Sequence, residues 1–186
     1  VMELLRGPTL DRLLCERPLG LGWSALQEIA LPLLDAVAHA HERGVLHGDL
    51  KPSNVLLSED GVRLFDFGLG QAQAGTLDGL APVSRSRINA WTPGYAAPEI
   101  LEGAALTCVA DVYALGCLLY ELASGKHPFN RQPATRTRLK RPKNLPRHAW
   151  RVVRKALALD PTKRTISAAQ LRTALATQPG FFARLL

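Results

Sequence analysis

With 186 residues, 47% of them apolar, the chain is long enough to bury one substantial core, and its composition excludes a disordered polymer. The formal net charge of +7 admits an acidic partner such as nucleic acid, a membrane surface or a phosphorylated ligand, without choosing among them. The longest apolar stretch, residues 112–122, is too short to span a bilayer and carries Glu121, so no membrane segment is expected in this piece.

In chain order, residues 1–5 read as the end of a buried strand stopped by Arg6, Gly7 and Pro8. A chain rarely opens in mid-strand, so this start is expected to be a cut. Pro8-Thr9-Leu10 opens a short helix to about Glu16. Ser24 with Gln27 three residues on has the form of a capping box. A long amphipathic helix follows, with Leu26, Ile29, Leu33, Leu34, Val37 and Ala40 on one face. Pro32 is expected to kink it, and Gly44 to close it. Two short apolar runs, 55–57 and 62–65, flank Glu59-Asp60-Gly61 and predict a hairpin. Residues 71–90 lack periodicity and read as a long loop, functional or mobile. A nearly all-apolar helix over 107–124 should sit in the centre of the core. Helices over 148–158 and 167–176, separated by Asp160-Pro161, complete the chain. The expected class is mainly α with a few short antiparallel β-hairpins, α+β overall.

Between Arg131 and Lys155 lie ten basic residues and no acid. Only Trp150 is interleaved, too few aromatics for nucleic-acid stacking. The stretch therefore reads as a solvated basic loop and helix face, with an acidic substrate or partner surface as the alternative. Cys15, Cys108 and Cys117 show no metal-ligand spacing and suit small buried apolar roles in a reducing compartment. No signal peptide opens the chain, and a cytoplasmic location is expected, with any membrane tether lying outside this piece.

Three blocks carry chemistry: His47-Gly48-Asp49-Leu50-Lys51-Pro52-Ser53-Asn54, Asp66-Phe67-Gly68 and Ala97-Pro98-Glu99. Transfer of a terminal phosphoryl group needs a carboxylate to accept the proton of the attacking hydroxyl, cations on the moving group, and oxygen ligands for a divalent metal. Asp49 can serve as the base and Lys51 as the cation. Asn54 and Asp66 offer the hard oxygens. Each block alone is weak, but their ordered spacing is specific.

Together they resemble the signature set of the protein kinases: catalytic loop, magnesium-binding loop and Ala-Pro-Glu motif. Lys51 and the terse run from Gly48 to Leu56 resemble the bacterial (Hanks-type) serine/threonine kinases. The resemblance implies ATP and Mg2+, or Mn2+, as cofactors, and proteins bearing Ser or Thr as substrates. It implies that residues 1–186 run from the hinge to the last helix of a catalytic domain, the N-terminal lobe being absent and a partner for this piece. Met2 resembles the gatekeeper, with Glu3 and Leu5 offering backbone groups to adenine, and Leu56 the apolar floor of that pocket. His47 and Phe67 resemble the lower spine of active kinases, Asp111 its anchor, and Gly68 the last member of the metal-binding triplet. Glu99 and Arg164 resemble the buried ion pair behind the substrate-side loop. Thr92 resembles the threonine that bonds to the catalytic Asp and Lys.

Plainer readings hold elsewhere: His47 as architectural, His39 and His41 as helix residues with local hydrogen bonds, Trp23, Trp91 and Trp150 as packing residues. The pattern also departs from the family. Gly48 stands where many kinases carry an arginine that receives an activation-loop phosphate, so activity is expected not to depend strongly on loop phosphorylation, though Thr76, Ser84 and Ser86 can still be modified. Trp91 stands where a glycine is usual. No Gly-rich loop, Val-Ala-x-Lys lysine or partner glutamate occurs. The piece alone is therefore expected to bind Mg-ATP weakly, to transfer no phosphate, and to expose apolar surface where the other lobe would sit. The alternatives are a pseudokinase or truncated binding module of the same fold, and a small-molecule phosphotransferase, which usually lacks the Ala-Pro-Glu block.

Overall fold

A computed structural model describes residues 6–67, 94–134 and 138–177. Among them are α1 (Leu10–Glu16), α2 (Trp23–Glu42), β1 (Val55–Ser58), β2 (Gly61–Leu64), α3 (Pro98–Leu101), α4 (Cys108–Ser124), α5 (Arg147–Ala156) and α6 (Ala168–Ala176). The class is the expected one, helical with a small antiparallel hairpin.

The apolar run that predicted a central helix forms α4, and every residue from Ala110 to Leu119 is buried. A helix that is apolar all round must be surrounded; α2 and α5 pack on α4, and α6 joins those two. Gly116 lets α5 come close, since a Cβ there would stand 3.0 Å from Ala156 Cβ. Along α2 the buried stripe is Leu26, Ala30, Leu33, Leu34 and Val37. Pro32 lies inside α2 without ending it. The helix closes in a Schellman pair, Val45 N–H to Ala40 O (2.9 Å) and Gly44 N–H to His41 O (3.0 Å).

Two expectations are corrected. Ser24 does not cap α2: the helix starts at Trp23 with Gly22 at the N-cap, and Gln27 Nε2 instead donates to Leu175 O at the end of α6 (2.7 Å). A carbonyl left over by one helix end has recruited the amide. The capping box stands at Ser167 and Gln170, at the start of α6. Cys15 is exposed, whereas Cys108 is half-buried and Cys117 buried. The hairpin packs on neighbouring segments. Leu56 is buried, and Leu57, Val62 and Leu64 are half-buried, because Pro8 and Thr9 lie along β1 (Leu57 N–H to Pro8 O, 2.9 Å) and α2 packs on β2.

The hairpin pairs Val55 with Leu64 through Ser58 with Gly61 across a two-residue turn. This register fixes where Asp66 emerges, two residues beyond β2 and beside the loop that precedes β1.

Candidate active site

The site is assembled around one buried acid. Asp111, in the first turn of α4 and 2% exposed, accepts the backbone N–H of His47 at Oδ2 (2.9 Å) and of Gly48 at Oδ1 (2.9 Å). His41, on α2, meets the same Oδ2 at 2.8 Å. A carboxylate buried without partners would be costly. Here its partners are two peptide groups of the His47–Asn54 loop, so satisfying the acid fixes that loop. Gly48 has φ +80°, a conformation glycine adopts at no steric cost.

His47 is buried and adds a second tether. Its Nδ1 accepts Asp49 N–H (3.2 Å), which leaves the proton on Nε2, facing Phe65 O at 3.2 Å. Burial holds its pKa below the usual histidine value, against the pull of Asp111. The ring lies 4.6 Å from that of Phe67, centroid to centroid.

The loop then presents its polar groups together. Lys51 Nζ donates to Asp49 Oδ2. Asn54, 4% exposed, donates Nδ2 to Asp49 O (2.8 Å) and to Asp49 Oδ2 (3.3 Å). With its N–H groups turned to Asp49, the amide has its oxygen as its remaining polar atom. Phe65 N–H donates to Asn54 O (3.1 Å), which brings the next residue, Asp66, alongside. Asp66 is exposed and sits at φ +65°, in the left-handed region that a non-glycine residue rarely occupies.

This donor set suits magnesium. Among the described residues no group of three or more His, Cys, Asp or Glu could hold a metal by itself, whereas magnesium is commonly held by one or two carboxylates together with the phosphates of its substrate. One carboxylate, Asp66, and one amide oxygen, Asn54, fit that pattern.

Glu99 and Arg164 form a forked ion pair, with Arg164 Nη2 on Glu99 Oε2 at 2.7 Å and Nη1 on Oε1. The guanidinium is fully buried, donates further to Ala158 O (2.6 Å) and Leu159 O (3.1 Å), and lies over the Tyr113 ring. Leu56 is on β1. Of the remaining sequence-predicted residues, Met2, Glu3, Leu5, Gly68 and Thr92 lie outside the described residues, as do Thr76, Ser84, Ser86 and Trp91.

Sequence reasoning missed two features. His41 bonds to Asp111, 70 residues away, rather than locally; only His39 is local, facing Arg43 at 2.8 Å. The available signal was its spacing, because His41 continues the buried stripe of Leu34 and Val37. The other is a cluster at the far end of α4. Glu121, 3% exposed, accepts Tyr95 OH and Arg131 NH2 (3.0 Å). Next to it, His127 accepts Phe129 N–H (3.1 Å) and Arg131 N–H (2.9 Å) at Nδ1.

A family model described as "Protein kinase domain" matches residues 1–174. The chain is 38% identical over 176 residues to the serine/threonine-protein kinase PkaA of Streptomyces coelicolor, covering 88% of this chain and 31% of that protein. It is 39% identical over 130 residues to PknL of Mycobacterium tuberculosis, covering 69% and 31%. It is 30% identical over 188 residues to drp72 of Corynebacterium efficiens, covering 94% and 34%. The chain thus spans about a third of the length of these curated relatives.

Proposed function

This chain belongs to the protein kinase family, with the bacterial Hanks-type serine/threonine kinases among its relatives, and from that premise we propose that it carries the catalytic half of an ATP-dependent protein serine/threonine kinase. The observation that carries the reading is the joining of Asp49, Lys51 and Asn54 by side-chain hydrogen bonds on a loop whose backbone is held by Asp111.

In this reading Asp49 orients the Ser or Thr hydroxyl of a protein substrate and takes its proton. The hydroxyl oxygen forms a bond to the γ-phosphorus of ATP, the bond to the bridging oxygen breaks, and ADP leaves. Lys51 turns from Asp49 toward the transferring group and offsets its charge. Asn54 and Asp66 would hold Mg2+ or Mn2+, which supplies charge neutralisation at the phosphate oxygens. Leu56 would floor the adenine pocket, with Met2, Glu3 and Leu5 at the hinge. Thr92 would support Asp49 and Lys51 from the substrate side, and Phe67, Gly68, Glu99 and Arg164 would hold the surrounding loops.

The segments that clamp ATP in this family are not in residues 1–186, so the domain is proposed to run from hinge to last helix and to need an N-terminal lobe. The chain alone is then inactive. Gly48 in place of an arginine supports activity that survives removal of loop phosphates, and a phosphatase-treated enzyme that lost its rate would refute this.

The test uses protein extended upstream through the other lobe, incubated with Mg-ATP and a generic basic protein, phosphate gain being read by intact mass. Transfer by the parent with loss in both Asp49→Asn and Asp66→Asn is expected. A folded parent that neither transfers phosphate nor is stabilised by Mg-ATP would overturn the reading in favour of a binding module of kinase fold.

A further inference from the structure

Among the described residues one large apolar side chain is exposed: Leu19, at 83%. A lone exposed leucine usually needs no explanation. This one is held out by a stiffly supported turn, residues 17–20 between α1 and α2. Gly20 N–H bonds back to Arg17 O (2.9 Å) and Leu21 N–H bonds to Leu122 O on α4 (2.7 Å). Asn144 Nδ2 reaches Leu19 O (3.3 Å) from the loop before α5. Gly20 and Gly125 let the turn lie directly on the end of α4. A Cβ on Gly20 would stand 2.5 Å from the Ala123 carbonyl carbon, and one on Gly125 2.3 Å from Pro18 O.

The turn and the segments that support it each carry a basic residue. Arg17 is in the turn, Lys126 follows Gly125, and Lys143 precedes Asn144. All three are exposed, and none has an ion-pair partner among the described residues. Glu16, the acid nearest in sequence, is engaged by Arg12 at 3.6 Å. Between Glu121 and Asp160 the chain has no acid at all, and the solvent side of α5 exposes Arg151, Arg154 and Lys155.

The chemistry discriminates among polyanions. Single-stranded nucleic acid would be met by exposed aromatics on which bases stack, and no Phe, Trp or Tyr of the described residues is exposed. Tyr120 and Trp150, the aromatics nearest this stretch, are half-buried against each other. An exposed leucine on a turn whose supporting segments carry cations matches a lipid interface, where acyl chains lie beneath anionic headgroups. No described helix is long and apolar enough to cross a membrane, so the contact is peripheral. We infer that Leu19, with Arg17, Lys126 and Lys143 around it, forms a docking surface for an anionic membrane. This is independent of the catalytic assignment.

The test is co-sedimentation of the chain with vesicles of phosphatidylcholine alone or mixed with phosphatidylglycerol, over a salt series. Binding to the anionic vesicles only is expected, weakening as salt rises. Neutralising Lys126 and Lys143 as K126Q and K143Q should cost about fivefold each in partitioning. Leu19→Ser should lower partitioning several-fold while leaving the salt dependence unchanged. All these positions are exposed, and circular dichroism melts of each variant confirm that folding is retained. Equal binding to neutral vesicles, or a Leu19→Ser variant indistinguishable from the parent, would overturn the inference. Tighter binding to an RNA or DNA probe than to anionic vesicles at the same salt would also overturn it, in favour of nucleic acid.

Discussion

The two ends of α4 each bury an acid beside a neutral histidine, and they solve that problem differently. Near its start, Asp111 is satisfied by peptide N–H groups of the His47–Asn54 loop and by His41, while His47 accepts the Asp49 N–H. Near its end, Glu121 is satisfied by the Tyr95 hydroxyl and the Arg131 guanidinium, while His127 accepts two N–H groups of the turn it begins. Peptide donors cannot leave without moving the backbone, whereas Arg131, whose side chain is 58% exposed, can turn into water. The first arrangement fixes geometry rigidly and the second leaves one partner exchangeable. That difference suits a loop proposed to hold a base, a cation and metal ligands in register.

A third acid, in the ion pair behind α3, sets the upper bound. Glu99 is half-buried and faces a guanidinium with no exposed surface, so Arg164→Met strands its carboxylate and should cost about 3–5 kcal/mol in urea melts. Acid should come next. Burial holds the His127 pKa down at about 4 against an ordinary 6.5, opposing the pull of Glu121. Between those values the unfolded chain takes up a proton that the folded chain refuses. Stability present above pH 6.5 is therefore lost as pH falls toward 4, by roughly 3 kcal/mol from this group, and His47 acts in the same direction. Melts across that window should show the loss, and a His127→Gln variant, less stable at pH 7, should show a shallower slope. Smaller still is the contrast between the acids themselves. Asp111→Asn places an amide against fixed N–H donors and should cost about 2–3 kcal/mol, while Glu121→Gln should cost about 1 kcal/mol because Arg131 can turn away. Equal costs would break the distinction drawn between the two ends.

Much of this frame is legible in the amino-acid sequence itself. The nearly all-apolar run of α4, the Glu59-Asp60-Gly61 turn and the Asp49, Lys51, Asn54, Asp66 spacing are local signals. The long-range partners are not local. Nothing near His41 announces Asp111, and nothing near Glu121 announces Tyr95 or Arg131, although each polar residue interrupts an apolar stripe and so must find a partner. The failed capping box at Ser24 has the same cause. Gln27 answers to a carbonyl of α6, 148 residues away, and local propensity yields to tertiary contact.

The smallest effects compare backbone strain at the two ends. Asp66 holds φ +65° beside the His47–Asn54 loop, and Asn130 holds φ +53° in the turn after His127. Asparagine tolerates the left-handed region well and glycine loses more entropy on folding, so Asn130→Gly should change stability by no more than about 0.5 kcal/mol in either direction. In the proposed reading the aspartate at position 66 serves through its carboxylate rather than its backbone preference. Asp66→Gly should therefore leave stability unchanged or raise it, by up to about 1 kcal/mol, while abolishing phosphoryl transfer in the upstream-extended enzyme. A variant that melted well below the parent would mean that the Asp66 side chain supports the fold, and the strain at this position would then have no functional explanation.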